Sequence, residues 1–248
     1  LATQADTVIL CMGLDEIAES EGLDRSNLRL AQNQVDLLQA VAAVNPKIVV
    51  VLYSGSVVET PWLDNCQALL YAALGGQAGA GAVADALTGK VNPSGSLVDT
   101  YCYDNFSAPA MWNFTPTTYE GYVEGGDVSA KAKSYMIYQE GIYVGYKYYE
   151  TRYEDFVTGS GNAGDYAYGD IVAYPFGYGM SYTNFDISDM NVSYNAADDT
   201  YTVTVKVTNT GDMAGKKTVQ VYVQSPYTDY DKENGVEKSA VSLVGFGK

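Results

Sequence analysis

The sequence predicts an α/β fold, a mostly parallel sheet flanked by helices, followed by antiparallel strands that form the front half of a β-sandwich. Three observations carry this. Ile48 to Tyr53 (I-V-V-V-L-Y) is a continuous β-branched run, the mark of a strand buried on both faces. Short apolar runs alternate with helical patterns as far as Tyr103, the spacing of βαβ units. The segment T-V-T-V-K-V-T within Tyr201 to Asn209 alternates with period two, as a half-buried antiparallel strand does.

The elements follow in order. Val8 to Met12 is an apolar run that reads as a buried strand. Gln34 to Val44 is a helix, with Val35, Leu38, Val41 and Ala42 on one face and Asn45-Pro46 as its stop. Ser54-Gly55-Ser56 turns the chain after the second strand, and Pro61-Trp62-Leu63 opens a short helix or turn. Ala68 to Leu74 is a third strand, broken by Gly75-Gly76, and Gly79 to Leu87 is a helix rich in small residues. Asn92-Pro93-Ser94-Gly95 is a turn.

Beyond Tyr103 the alternation stops. Residues 104–135 form a long aromatic insertion without a clear period, containing Trp112, Phe114 and a glycine-rich piece from Gly121 to Gly126. Glu140 to Tyr149 alternates like a strand, residues 158–170 are a loop, and Pro175 to Tyr182 closes the region. Asp186 to Tyr194, Tyr201 to Asn209, Lys217 to Gln224 and Val241 to Phe246 are antiparallel strands, too few to close a sandwich. The expected domains are therefore 1–183 and 184–248. An unpaired strand edge and exposed apolar side chains are expected in the second. Leu1 opens directly before a core strand, so the chain reads as part of a longer polypeptide.

Composition narrows the chemistry. The formal charge of −16 repels phosphate backbones and argues against a nucleic-acid partner. No run of 18 apolar residues exists to span a membrane. The sequence has no histidine, which removes the usual catalytic triads and most zinc sites. Acid–base work falls to carboxylates, Lys, Tyr or Cys. The 3 cysteines, Cys11, Cys66 and Cys102, are widely spaced beside apolar segments and read as buried free thiols.

One stretch stands out against this background. Gly13 to Leu30 (G-L-D-E-I-A-E-S-E-G-L-D-R-S-N-L-R-L) follows the first strand and places 5 acidic residues between Asp15 and Asp24. Carboxylates gathered at a strand's carboxyl end are either a solvated loop or a reaction site. A phosphate-cradling loop for a flavodoxin-like nucleotide-binding domain would carry glycines here, and Gly13-Leu14-Asp15-Glu16 repels phosphate instead.

Seven collinear pieces give the chain a resemblance: V-I-L-C-M-G-L-D-E with E-S-E-G-L-D-R, N-P-K-I-V-V-V-L-Y-S-G, P-W-L-D-N, N-P-S-G-S-L, E-G-I-Y-V-G-Y-K-Y-Y-E, P-F-G-Y-G-M-S-Y-T-N-F and V-T-N-T-G. Over nearly its whole length it resembles the carboxyl-terminal half of family 3 glycoside hydrolases, the β-glucosidase and β-xylosidase group. The resemblance implies an α/β sandwich followed by a fibronectin type III-like β-sandwich. It implies a retaining, exo-acting enzyme on terminal β-linked sugars of oligosaccharides or aryl glycosides, with no cofactor and no metal. In that family a (β/α)8 barrel supplies an aspartate nucleophile, often within Ser-Asp-Trp, and the sandwich domain supplies the acid/base glutamate. No Ser-Asp-Trp occurs here, so the barrel domain of the same polypeptide is the expected partner.

The E-G-x-D-R match places the acid/base on Glu21, with Gly22 letting the backbone bend so that the side chain projects. Glu19 is the alternative and Glu16 a more distant one. Asp24 and Arg25 are expected to hold the loop by a local ion pair. Trp112 is expected either to stack on a sugar ring or to pack the insertion onto its domain. The chain departs from its relatives at Gly75-Gly76-Gln77-Ala78-Gly79-Ala80, where they usually carry Pro-Gly-Gln-Glu-Gly-Gly, and at Ser94-Gly95-Ser96-Leu97-Val98, where they carry Ser-Gly-Arg-Leu-Pro. The rival reading is a non-catalytic carbohydrate-binding or scaffold module, which a carboxylate-rich loop does not favour.

Overall fold

The computed structural model describes residues 1–114, 117–120 and 133–248. Proximity groups them into two compact units, one of residues 1–101, 174–223 and 243–248, the other of residues 102–173 and 224–242. The expected division at 183/184 concerns which stretches form homologous domains, a question that compactness does not address.

The first unit is built on a three-stranded parallel sheet in the order β1 (Val8–Gly13), β2 (Ile48–Tyr53) and β3 (Ala68–Tyr71). Helix α1 (Gln32–Ala42) lies between β1 and β2 in the chain, and α2 (Gly79–Leu87) follows β3. The parallel register sets Val8 beside Ile48 and Gly13 beside Tyr53. Side chains alternate across a strand, so Val8, Leu10 and Met12 share a face with Ile48, Val50 and Leu52. That face meets Leu38 of α1, Leu30, Val58 and Trp62 in the main apolar core. Ile48, Val50, Val51 and Leu52 are all fully buried, as a central strand requires. Each such side chain contributes roughly 1.5–3 kcal/mol on burial.

Two expectations for this unit are corrected. Cys11 is exposed rather than buried. It sits on the edge strand and, with Ile9, faces away from the core, whereas its register partner Val51 lies on the covered central strand. The third strand ends at Tyr71, short of Leu74, because Ala73 takes φ +50° and Leu74 turns out to solvent. Cys66 is half-buried and Cys102 buried.

The antiparallel strands belong mostly to the same unit. Phe185–Asn195 pairs with Thr200–Asn209 across a turn in which Asp199 has φ +52°, with an irregularity between Ser188 and Asn191. Val219–Val223 pairs with Ser242–Gly247. Among the described residues these make separate two-stranded sheets, and Met190, Tyr201 and Phe246 are exposed.

In the second unit the expected strand at Glu140 to Tyr149 is a turn followed by a helix, Tyr146–Thr158. Ile142, Val144, Tyr146 and Tyr148 imitate a period of two. Gly145 at φ +59° breaks that run, and from there the helical period buries Tyr149 and ends at Gly159 in the left-handed conformation. Tyr149 packs with Cys102 and Val172, and its hydroxyl lies 3.0 Å from Ser107 Oγ. Burial, followed by the nearby Cys102, pushes its phenol well above the usual range. The insertion contains a short helix, Pro109–Trp112, and a pairing of Thr117–Thr118 with Ser134–Tyr135. Its piece from Gly121 to Gly126 lies outside the described residues. No helix among the described residues is long and apolar enough to cross a membrane.

A capping box starts the helix Asp229–Asn234. Thr228 Oγ1 accepts from Asp231 N, and Asp231 Oδ2 accepts from Thr228 N at 2.6 Å and from Lys238 Nζ at 2.6 Å. Lys238 first, and then Thr228, lower the Asp231 carboxyl from its ordinary 3.8 to about 2. A depressed folded value means that the stabilisation is complete above about pH 4 and is lost as pH falls through about 2. Thermal unfolding should therefore show Asp231→Asn less stable than the parent at neutral pH, with the gap closing towards pH 2.

Candidate functional site

The acidic stretch leaves the carboxyl end of β1, where open α/β sheets bind ligands. Its root is fixed by backbone contact. A Cβ on Gly13 would lie 2.1 Å from the carbonyl oxygen of Tyr53, so no larger residue fits this pairing. Leu14 N donates to the same carbonyl at 3.0 Å. From α1, Gln34 clasps Gly13 on both sides, its Oε1 accepting from Gly13 N at 2.9 Å and its Nε2 donating to Gly13 O at 2.8 Å.

The loop then coils on itself. Asp15 Oδ1 accepts from Ala18 N at 2.9 Å, Glu19 N donates to Asp15 O, and Ser20 Oγ donates to Glu16 O at 2.6 Å. Gly22 at φ +77° reverses the chain just after Glu21, as its place in the sequence leads one to expect. Further on, Leu28 O accepts from Glu59 N at 2.8 Å, Arg29 Nε pairs with the buried Glu59 at 3.1 Å, and Leu30 enters the core.

The carboxylates within the loop differ in what they touch. Both oxygens of Glu19 accept from Gly55 N, at 2.9 and 3.0 Å, and Ser56 Oγ donates to Oε1 at 3.2 Å. Glu21 is exposed and makes no hydrogen bond or ion pair with the described residues. Glu16 and Asp24 are exposed as well. Arg25 does not pair with Asp24, which corrects the expected local ion pair. Its Nη2 donates to Ser56 Oγ at 2.8 Å and to Val57 O at 2.9 Å, because the β2 turn offers a fixed acceptor that a neighbouring exposed carboxylate does not.

The turn that receives these side chains is itself braced. Ser54 is fully buried, its Oγ donates to Ser56 O at 2.9 Å, and Tyr71 OH donates to Ser54 O at 2.9 Å. Tyr101 packs edge-on against Tyr71, and burial drives its phenol far above the ordinary range. Sequence reasoning did not single out Gln34, Ser56 or Glu59. The run of three polar residues, Gln32-Asn33-Gln34, that opens an amphipathic helix was the one local signal for Gln34. Among the described residues no three acidic, Cys or His side chains converge as metal ligands. In the other unit, Trp112 donates from Nε1 to Phe106 O at 2.9 Å and meets the Phe106 ring edge-on, yet remains 70% exposed.

The profile of the glycosyl hydrolase family 3 C-terminal domain matches residues 1–146. The chain belongs to this family. All of it aligns with the thermostable β-glucosidase B of Acetivibrio thermocellus at 39% identity, covering 28% of that protein. It aligns equally fully with an exo-α-(1→6)-L-arabinopyranosidase of Bifidobacterium longum at 40% identity, again over 28% of that protein. Among solved structures, the family 3 β-glucosidase of Bifidobacterium adolescentis superposes with a TM-score of 0.78 at 39% identity, with 99% of this chain covering 31% of that one. The Kluyveromyces marxianus β-glucosidase in complex with glucose gives 0.76 at 35% identity, with 99% of this chain covering 25% of that one. This family 3 C-terminal domain thus spans about a quarter to a third of the relatives it matches.

Two glycines of the loop should respond differently to a methyl group. Gly13→Ala drives a Cβ into the Tyr53 carbonyl and should cost about 3 kcal/mol in urea unfolding. Gly22→Ala meets no atom within 4 Å and should cost only about 1–2 kcal/mol, the strain of a left-handed alanine.

Proposed function

We propose that this chain is the acid/base-bearing part of a retaining, exo-acting β-glycosidase of the β-glucosidase type, with Glu21 as the acid/base. The division into an α/β sandwich domain at 1–183 and an incomplete fibronectin-like domain at 184–248 is part of this reading. The observation that carries it is the state of Glu21. It stands free at the apex of a loop whose flanking residues are tied down, at the carboxyl end of a parallel sheet, in a chain that resembles β-glucosidases from end to end. Glu19 is engaged by Gly55 and Ser56, which disfavours the alternative assignment.

The chemistry calls for two carboxyl groups about 5–5.5 Å apart. The nucleophile comes from a barrel domain of the same polypeptide and attacks the anomeric carbon. Glu21 gives its proton to the departing glycosidic oxygen, leaving a glycosyl-enzyme. It then takes a proton from water as that water attacks the same carbon and frees the nucleophile. A free, exposed carboxylate suits this exchange, since it must meet the leaving group and then water in turn. Relatives at 39% and 40% identity are named for a glucosidase and an arabinopyranosidase. The sugar is therefore chosen outside the features these chains share.

In the full-length enzyme, Glu21→Ala should lower turnover of cellobiose by about 10²–10⁴-fold, the usual worth of general acid–base assistance. An activated aryl glucoside needs little protonation, so its bond cleavage should suffer far less and the glycosyl-enzyme should accumulate. Azide needs no base and should restore turnover, yielding a β-glycosyl azide of retained configuration. Failure of azide to rescue would sink the assignment. The purified 248-residue chain by itself should not hydrolyse aryl β-glucosides, and turnover abolished by one substitution within it would overturn the split of the site between domains.

A further inference from the structure

We infer that Glu19 is a positioning residue for Glu21, acting through a clamp that joins it to Ser56 and Arg25. This rests on the reading of Glu21 as the acid/base. Glu19 and Arg25 lie on either side of Glu21 and Gly22, and both grip the turn after β2. Glu19 holds Gly55 N with both oxygens, at 2.9 and 3.0 Å. Arg25 holds Val57 O at 2.9 Å. Ser56 Oγ joins the two, donating to Glu19 Oε1 at 3.2 Å and accepting from Arg25 Nη2 at 2.8 Å. The hydroxyl is thus polarised from both ends, an anion drawing its proton and a cation facing its lone pair. Charge-assisted bonds of this kind are about twice as strong as neutral ones.

Residues 20–24 therefore form a short bridge, closed at each end by a side chain on one rigid support. The support does not yield easily. Ser54 is fully buried and bonded to Ser56 O, Tyr71 braces Ser54 O, and a Cβ at Gly55 would already crowd Leu74 Cδ1 at 3.1 Å and Glu19 Oε1 at 3.3 Å. An acid/base on an otherwise free loop needs such a device, because a misplacement of about 1 Å can cost about 10²-fold in rate. Glu19 itself has no need to touch the sugar.

The test uses the full-length polypeptide with Glu19→Ala, Glu19→Gln, Ser56→Ala and, in parallel, Glu21→Ala. Each is assayed for kcat/KM on cellobiose and on dinitrophenyl β-glucoside, and for kcat on the dinitrophenyl glucoside with and without azide, since azide acts on the glycosyl-enzyme after the step that kcat/KM reports. If Glu19 positions the acid, Glu19→Ala should lose about 10²-fold on cellobiose and less than about tenfold on the dinitrophenyl glucoside, which hardly needs the proton. Glu19→Gln keeps a carbonyl oxygen for Gly55 N and Ser56 Oγ and should recover most of the loss. Ser56→Ala should fall between them with the same bias between substrates. Azide should speed Glu21→Ala but not Glu19→Ala, where Glu21 remains to serve water. An equal loss on both substrates, or none on either, overturns the positioning role. If Glu19→Ala does not fold, the bias of Ser56→Ala between the two substrates decides alone. If azide does not rescue Glu21→Ala, the acid/base reading fails and the positioning role with it. Azide rescue of Glu19→Ala alone would make Glu19 the acid/base.

Discussion

Gly13 passes so close to the carbonyl of Tyr53 that a single methyl group between them would force β1 and β2 apart at this end of their pairing. The candidate site hangs from that contact. Because the strands are parallel, their carboxyl ends lie side by side, and the loop leaving one is born next to the turn leaving the other. Gln34 locks the root of the loop, and the turn at 54–56 receives its side chains. In an antiparallel pair the two carboxyl ends would lie at opposite ends of the strands, and Glu19 could not reach Gly55.

The same arrangement separates carboxylates that composition alone leaves equivalent. Crowding acids near a strand end is costly unless donors are supplied. Here the donors go to Glu19, through Gly55 N and Ser56 Oγ, and Arg25 spends its guanidinium on the turn. Glu21, just before the reversal at Gly22, is left without a partner among the described residues. A chain without histidine has few other side chains that can both give and take a proton near neutral pH.

The misreadings share a cause. At Glu140 to Tyr149 the apolar residues fall on alternate positions by chance, and the period that matters begins only after Gly145. Cys11 sits in an apolar run, but a run shows only that a strand exists, and exposure on its outer face depends on whether it lies at the centre or the edge of its sheet. The Asp24–Arg25 pair followed from adjacency in the chain, whereas Arg25 found its acceptors at Ser56 and Val57.

By itself the sequence determined the existence and type of the strong elements, the break after Tyr103, the acidic loop and its place at a strand end. Those depend on local periodicity and on residue chemistry, which travel with the chain. Residues such as Ile48 to Tyr53 carry their burial in their own composition. Which carboxylate is bound and which is free was decided only by tertiary structure. Glu19 and Gly55 are far apart in the chain, and the hydrogen bond between them exists only once β1 and β2 are in register. A hydrogen bond is directional and short-ranged, so no pattern along the chain can reveal its partner until the fold brings donor and acceptor within about 3 Å.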